Sequence, residues 1–349
     1  MKKSFLLILL LLLLLFVGGV HAQKIVPFPG LGKPDSITID DQRLYITDQG
    51  TIAVYSPEDF KLKKKFGRQG EGPGEFSILP FDRICLRISL SHDTILVNSV
   101  SRLSFFTEEG DFIKQMFSQR PIQYFKPLGD KMVGYHRWKE DDILYIGIYI
   151  YDPLSLRREK ELFKKEFYVQ THRAYDPTIF AMVMKNGARR ATIYHPYENK
   201  LFVEGKNDEI LVFDDSGEQL YTIPSQYEKI RMPETFRKAV LAYLKKRFIT
   251  MYPRIKQKVR FRDTFPIRSF LVSDDKIYVL TFKNTEGKSE FYVLDLKGTF
   301  LEKKMIPFAE SEFLCAYPYA ITNGMLYQLN ENPDTEEWEL RITNLYGNK

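Results

Sequence analysis

Residues 200–223 read KLFVEGKNDEILVFDDSGEQLYTI, and this stretch contains three short apolar segments separated by polar turns. The segments LFV, ILVF and LYTI have the length and the branched and aromatic content that β-strands favour. The DDSGE turn between the second and third segments is too short for a crossover, so it joins antiparallel neighbours. The stretch therefore predicts a small antiparallel sheet.

The same plan recurs along the chain. Comparable stretches occupy residues 44–66, 94–117, 131–163, 276–306 and 315–349. One more short apolar run precedes each unit, except that in the last unit this run lies near its start. These runs read SITI, ICLRI, YFKPL, ATIY, SFLV and YAIT. Four-stranded antiparallel units that recur about every 45–50 residues are typical of a propeller. The sequence thus predicts an all-β fold, a six-bladed β-propeller. The predicted third strands of the blades are centred on Val54, Phe105, Ile148, Val212, Val293 and Ile342.

The last unit stops after three strands, which leaves the sixth blade without an outer strand. KIVPF, at Lys24–Phe28, is an apolar segment with no neighbour of its own. We expect this segment to pair with the last strand of the chain and close the ring, because closure removes an exposed strand edge.

The first 22 residues have the features of a secretory signal peptide. Lys2 and Lys3 precede an apolar run from Phe5 to Phe16, and the small residues Val20 and Ala22 precede the expected cleavage before Gln23. An uncleaved membrane anchor is the alternative, although the run is short for a span of about 20 residues. We therefore predict a signal peptide at 1–22, a propeller at 23–349 with no transmembrane span after cleavage, and a periplasmic or extracellular location.

A glycine-rich loop, FGRQGEGPGEF at Phe66–Phe76, raises the alternative of a phosphate-binding loop. Such a loop needs a following helix and a lysine, whereas strand-like residues follow here and two glutamates occupy the loop. We expect instead that Phe66 ends an outer strand, that the glycines turn the chain with positive φ, and that Phe76 wedges between blades.

The same loop resembles the interblade signature of NHL-repeat proteins, and the chain as a whole resembles TolB-like six-bladed propellers common among exported bacterial proteins. The resemblance implies a binding or scaffold protein, since most members have such roles. It also implies an alternative, because a few members are lyases or hydrolases that gather metal ligands around the channel. In that alternative His136 and His195 would bind Ca²⁺ or Zn²⁺ near the central channel.

A basic insertion interrupts the repeat between blades four and five. Residues 229–262 contain twelve Lys or Arg and one Glu, although the net charge of the whole chain is only +6. Within this insertion, PETFRKAVLAYLKKRFITMYP predicts a helix from Pro233 to Pro253. The helix is either an arm that contacts an acidic partner, a polysaccharide or lipid headgroups, or a helix packed by its apolar stripe with its lysines in solvent. The stripe consists of Phe236, Val240, Leu244, Phe248 and Met251.

We predict an exported, non-enzymatic binding or scaffold protein that recognises a protein or glycan partner, with acidic groups, through one face of the ring. We expect no cofactor, and export disfavours nucleic acid as a partner. A metal-assisted lyase or hydrolase at the channel remains the alternative, so the question of enzymatic activity stays open. The candidate contact residues are Arg189, Arg190, His195, Arg237, Lys245, Lys246 and Arg247.

Two further features lie outside this pattern. Cys85 and Cys315 are the only cysteines, and the repeat places them at the heads of the inner strands of blades two and six. Blade one lies between those blades, and a disulfide needs Cα atoms within about 7 Å, so we expect both thiols to be free and buried. The stretch 166–190 has no clear pattern and is either a longer connection or an extra hairpin.

Overall fold

A computed structural model of the protein describes residues 23–77, 86–91, 93–118, 124–140, 143–169, 194–247, 261, 263–265, 267–311 and 315–346. In these residues the strands form six four-stranded antiparallel sheets, as the repeat predicted. Blade one contains β2 (Pro34–Ile39), β3 (Leu44–Asp48), β4 (Thr51–Tyr55) and β5 (Leu62–Phe66). Blade two contains β6 (Arg87–Ser91), β7 (Thr94–Ser99), β8 (Arg102–Thr107) and β9 (Phe112–Phe117). Blade three contains β10 (Phe125–Leu128), β11 (Lys131–Glu140), β12 (Ile143–Tyr151) and β13 (Arg158–Val169).

The second half of the ring follows the same order. Blade four contains β14 (Tyr194–Tyr197), β15 (Lys200–Glu204), β16 (Ile210–Asp214) and β17 (Gln219–Ile223). Blade five contains β18 (Ser269–Ser273), β19 (Lys276–Thr285), β20 (Lys288–Asp295) and β21 (Phe300–Pro307). Blade six contains β24 (Tyr319–Thr322), β25 (Met325–Glu331), β26 (Trp338–Asn344) and, as its outer strand, β1 (Gln23–Phe28).

The six sheets stand in a closed ring. Each inner strand contacts the inner strand of the next blade, in the order β2, β6, β10, β14, β18 and β24, and β24 contacts β2. All six predicted strand centres, from Val54 to Ile342, lie within the third strands of their sheets. The six-bladed propeller predicted from the repeat is thereby confirmed.

Strand β1 closes the ring as expected. It pairs antiparallel with β26, from Gln23 opposite Thr343 to Phe28 opposite Trp338. Phe28 is buried, and its ring contacts the ring of Tyr55 in blade one at 4.6 Å between centroids. The first strand therefore joins blade six through its backbone and packs on blade one through its side chain.

The glycine-rich loop is an interblade wedge. Phe76 is fully buried and packs with Val54 of blade one and Ile95 of blade two. The chain reverses at Gly67, which has a φ of 75°, and a Cβ there would lie 2.3 Å from Cε2 of Phe76. Only glycine fits this position, because a side chain would displace the phenylalanine that joins the two blades. The structural interpretation of the loop is confirmed.

One helix, α1 (Glu234–Arg247), is described between β17 and β18, which confirms the insertion between blades four and five. Val240 is fully buried, and the ring of Phe236 contacts Phe265 at 5.0 Å. Phe265 in turn stacks on Phe282 of blade five at 4.3 Å. The first two residues of the apolar stripe, Phe236 and Val240, thus pack against the propeller. Phe248, Met251 and the expected helix end at Pro253 lie outside the described residues. In the part of the chain described, no helix is both long and apolar enough to cross a membrane.

Two expectations fall wholly or partly outside the described residues. Cys85 is not among them, so the prediction of two free thiols stays a prediction. Cys315 belongs to a separate short strand, β23 (Cys315–Ala316), which pairs with β22 (Glu310–Ser311) and precedes the inner strand of blade six. Of the unpatterned stretch 166–190, the first residues continue β13 as far as Val169, and the remainder is not described.

Candidate functional site: the central channel

The inner strands surround a cavity of about 870 Å³ on the axis of the ring. All six blades contribute lining residues, through β2, β6, β10, β14, β18 and β24. Because each blade repeats the same meander around the axis, the six inner strands run in the same direction along the channel. Residues at the start of each inner strand therefore share one end of the cavity, which we call the entry end.

On the side of blades two, three and four, three basic residues of the described chain lie at the entry end. Arg87 is the first residue of β6, while Lys126 and His195 are the second residues of β10 and β14. All three line the cavity. We call Arg87, Lys126 and His195 the channel basic cluster. Blades two, three and four are consecutive, so the cluster occupies one side of the channel.

The side chain of Arg87 is half-buried in the channel wall. Its Nη2 is buried and has no hydrogen-bond partner among the described residues. The guanidinium lies over the ring of Tyr124, with 5.7 Å from Cζ to the centroid. The ring stabilises the charge without satisfying the N–H donors.

Lys126 carries a perturbed amino group. Its Nζ donates a hydrogen bond to the backbone carbonyl of Tyr194 at 3.2 Å and lies 5.2 Å from the centroid of that ring. Burial, followed by the nearby Arg87 charge, lowers the pKa of Lys126 to about 8. The side chain keeps some accessible surface although protein surrounds it, because it faces the cavity.

His195 is neutral at pH 7. Burial and the neighbouring Lys126 lower its pKa to about 3, and its Nδ1 has no hydrogen-bond partner among the described residues. Asp35 and Glu198 also line the cavity, yet no described carboxylate forms an ion pair with Arg87 or Lys126. The cluster thus carries two positive charges that no described protein group neutralises.

Arg268, on the blade-five side of the cavity, shows the contrasting arrangement. Its Nη1 pairs with Oε1 of Glu310 at 2.5 Å, and both side chains are largely buried. Burial opposes the ionisation of Glu310, but Arg268 and hydrogen bonds from Ser289 and Asn284 outweigh it, so the pKa of Glu310 lies below its ordinary value. The charge of Arg268 is neutralised within the protein, whereas the charges of the channel basic cluster are not.

Tyrosines provide much of the remaining lining. The hydroxyl of Tyr194 donates to the backbone carbonyl of Tyr124 at 2.5 Å, and the hydroxyls of Tyr319 and Ser269 are 2.6 Å apart. Such rings offer flat apolar faces and polar edges, a combination suited to organic ligands. The lining tyrosines are Tyr124, Tyr135, Tyr194, Tyr197, Tyr317 and Tyr319.

Of the predicted contact residues whose side chains are described, namely His195, Arg237, Lys245 and Lys246, His195 alone lines the cavity. Lys245 and Lys246 are exposed on α1 and do not line it. Arg237 is half-buried on α1, where its guanidinium lies over Phe261 at 5.6 Å. Its Nη2 is 3.9 Å from the carboxylate of Asp263, so Arg237 helps to hold the insertion together.

The other candidates are less fully described. Arg247 is the last residue of α1. Arg189 and Arg190 lie outside the described residues.

The two histidines named for a metal site lie in different environments. His136 is buried within β11 and stacks on Trp138 at 5.8 Å, so it belongs to the packing of blade three. His195 faces the cavity instead. Among the described residues, no group of three or more His, Cys, Asp or Glu side chains is arranged to hold a metal.

Sequence reasoning missed Arg87 and Lys126. A signal existed, because Arg87 lies in the apolar run ICLRI and Lys126 lies in YFKPL, both predicted to be inner strands. A charged side chain inside a strand that lines a closed ring must face the packing between blades or the axis. Only the assembled ring shows that these two face the same cavity.

Comparisons with known proteins give structural likeness only. The chain matches no known family profile and no curated protein. It is similar to BamB from Moraxella catarrhalis, at 10% identity over 88% of this chain and 71% of that chain, with a TM-score of 0.34. It is also similar to a chain of the mitotic checkpoint complex, at 10% identity over 93% of this chain and 95% of that chain, with a TM-score of 0.44. The propeller fold rests on the six described sheets themselves, and the NHL-repeat and TolB-like resemblance stays a prediction.

Proposed function

We propose that this protein is an exported, non-enzymatic binding propeller that recognises a protein or glycan partner with acidic groups. Its binding surface is the entry end of the channel and the adjacent face of the ring. The observation that carries this proposal is the pair of cations in the cavity, Arg87 and Lys126, which no described carboxylate neutralises.

Helix α1, the described helix of the basic insertion, lies at the same face. Helix α1 belongs to the connection that leads from the outer strand of blade four into the inner strand of blade five, so it lies toward the start of β18. Lys238, Lys245 and Lys246 are exposed on it, and no ion pair to another described residue neutralises them. A positive helix beside a positive channel attracts acidic partners and speeds their association.

Two features support export and a binding role. The apolar run from Phe5 to Phe16, followed by Val20 and Ala22, has the pattern of a cleaved signal. A closed ring of packed sheets provides a rigid frame for a recognition surface, and rigid frames limit the entropy lost on binding.

The test is capture of the partner from a native envelope extract, with identification by mass spectrometry and measurement of the affinity at two salt concentrations. The Lys245→Gln/Lys246→Gln variant should bind roughly two- to thirtyfold more weakly at low salt, because each exposed ion pair contributes about 0.2–1 kcal/mol. Lys63→Gln/Lys65→Gln removes the same charge from the outer strand β5 and serves as the control.

The wild-type protein and the control should retain the partner equally. A partner that binds all three proteins alike, or the absence of any acidic partner, would contradict the proposal.

A further inference from the structure

We propose that the channel basic cluster is a binding site for a doubly charged phosphate group, carried by a ligand that enters the channel from the entry end. This inference rests on the proposed function in one respect, namely that the entry end is the binding face. It adds the chemical class of the group that is bound there.

The charges of the channel basic cluster match a phosphate dianion. Arg87 and Lys126 interact as like charges, and no carboxylate among the described residues pairs with either of them. Both side chains are half-buried in the channel wall, where cations without a carboxylate partner attract anions from solvent. A carboxylate of single charge would neutralise one cation only, whereas a phosphate dianion matches both.

The channel basic cluster also provides hydrogen-bond donors for an anion. Arg87 is half-buried and lines the cavity, and Nζ of Lys126 uses one of its three N–H groups on the carbonyl of Tyr194, which leaves two N–H groups of Lys126 for a ligand. His195 lines the cavity beside them and is neutral, so it adds no charge to the cluster. Arg87 and Lys126 come from consecutive blades and line the same cavity, so both can donate to one tetrahedral anion.

The cavity has space for a ligand larger than a phosphate ion. The cavity of about 870 Å³ is far larger than a phosphate ion, and tyrosine rings line it beside the cluster. The rings of Tyr124 and Tyr194 already contact Arg87 and Lys126. An organic group attached to the phosphate can therefore pack against tyrosine faces while the phosphate contacts the cations.

The experiment measures sodium phosphate binding to the full protein by calorimetry and by the shift in melting temperature. Phosphate should bind the wild-type protein and raise its melting temperature. Lys126→Met and Arg87→Gln should each weaken binding about ten- to hundredfold, because each removes a charge-assisted hydrogen bond. Lys63→Gln, which removes a charge from β5, should bind phosphate like the wild type.

Two readouts separate loss of binding from loss of folding. Without phosphate, Lys126→Met should melt at the wild-type temperature or higher, because it removes a repulsive charge. Lys126→Arg keeps the charge and should retain most of the binding.

Further probes identify the source of the phosphate. Inorganic sulfate should compete with phosphate, and acetate should not. Glucose 6-phosphate that binds more tightly than phosphate indicates an ester ligand, whereas the reverse order indicates the free ion. The inference is overturned if phosphate does not bind, if acetate binds equally well, or if Lys63→Gln weakens binding as much as Lys126→Met. Capture of an acidic partner together with no phosphate binding would overturn this inference alone.

Discussion

Phe28, in the first strand, lies opposite Trp338, in the last strand, although almost the whole described chain separates them. This pairing gives blade six its fourth strand and leaves no open seam in the ring. A propeller closed in this way depends on one pair of strands, β1 and β26, that are far apart in sequence. The loop-closure entropy of the whole chain opposes that contact.

Removing the pairing should open the ring. We expect replacement of Gln23–Phe28 by Gly-Ser-Gly-Ser-Gly-Ser to lower the free energy of unfolding by several kcal/mol, since burial of Phe28 alone contributes about 3–5 kcal/mol. Denaturant unfolding followed by circular dichroism measures this change. An unchanged midpoint would mean that β1 does not hold the ring closed.

Substitution of Phe76, which wedges between blades one and two, should lower the stability of the protein by a similar amount. Phe76→Ala leaves a cavity between blades one and two, so we expect a loss of about 3–5 kcal/mol. Phe117→Ala is the matched control, because Phe117 is 67% exposed on an outer strand and should change stability by less than about 1 kcal/mol. Equal effects of the two substitutions would contradict the role given to the glycine-rich loop.

Because of Lys126, the stability of the protein should change with pH in the alkaline range. Its pKa is about 8 in the folded protein, below the ordinary value of about 10.4 for an unfolded chain, so the unfolded state binds more protons between these values. The free energy of unfolding should therefore rise from pH 8 toward pH 10. The groups that face Lys126 are Arg87, Tyr194 and His195.

Melting temperatures across this pH range measure the effect. The rise should be smaller in Lys126→Met and unchanged in Lys63→Gln. A wild-type profile identical to that of Lys126→Met would show that the ammonium is not buried.

His195 should make the stability of the protein depend on pH in the acidic range. Because its pKa falls to about 3 on folding, the unfolded chain binds a proton near pH 6.5 that the folded protein does not. Stability should fall as pH decreases from 6.5 to 3, and His195→Gln should reduce the slope. The ring-proton shifts of His195, followed by NMR, provide a direct check, and titration near pH 6.5 would refute the prediction.

Breaking the buried ion pair of Arg268 and Glu310 should lower the free energy of unfolding. Glu310→Gln leaves the Arg268 charge uncompensated, so we expect a loss of about 3 kcal/mol. Glu140→Gln breaks the exposed pair with Lys164 and should cost less than about 1 kcal/mol. If the two variants unfold at the same denaturant concentration, the Arg268–Glu310 pair is not buried as described.

Much of the fold could be predicted because its signals are local. Alternation of apolar residues and short turns indicated the third strand of each blade, and Val54 and Ile342 both lie where the repeat placed them. The inner strands were located less well. Blade two's inner strand begins at Arg87, three residues later than the run ICLRI suggested, because short apolar runs leave strand ends undefined.

The sequence by itself determined the repeat, the number of blades and the closing role of the first strand, since strand pattern and turn length are properties of neighbouring residues. Only the tertiary structure decided that Arg87, Lys126 and His195 share a cavity, that Arg268 is neutralised by Glu310, and that His136 is buried within blade three. The physical reason is that the channel is built from residues of different blades. Which side chains meet across its axis depends on the direction and register of six separate strands, and no local pattern contains that information.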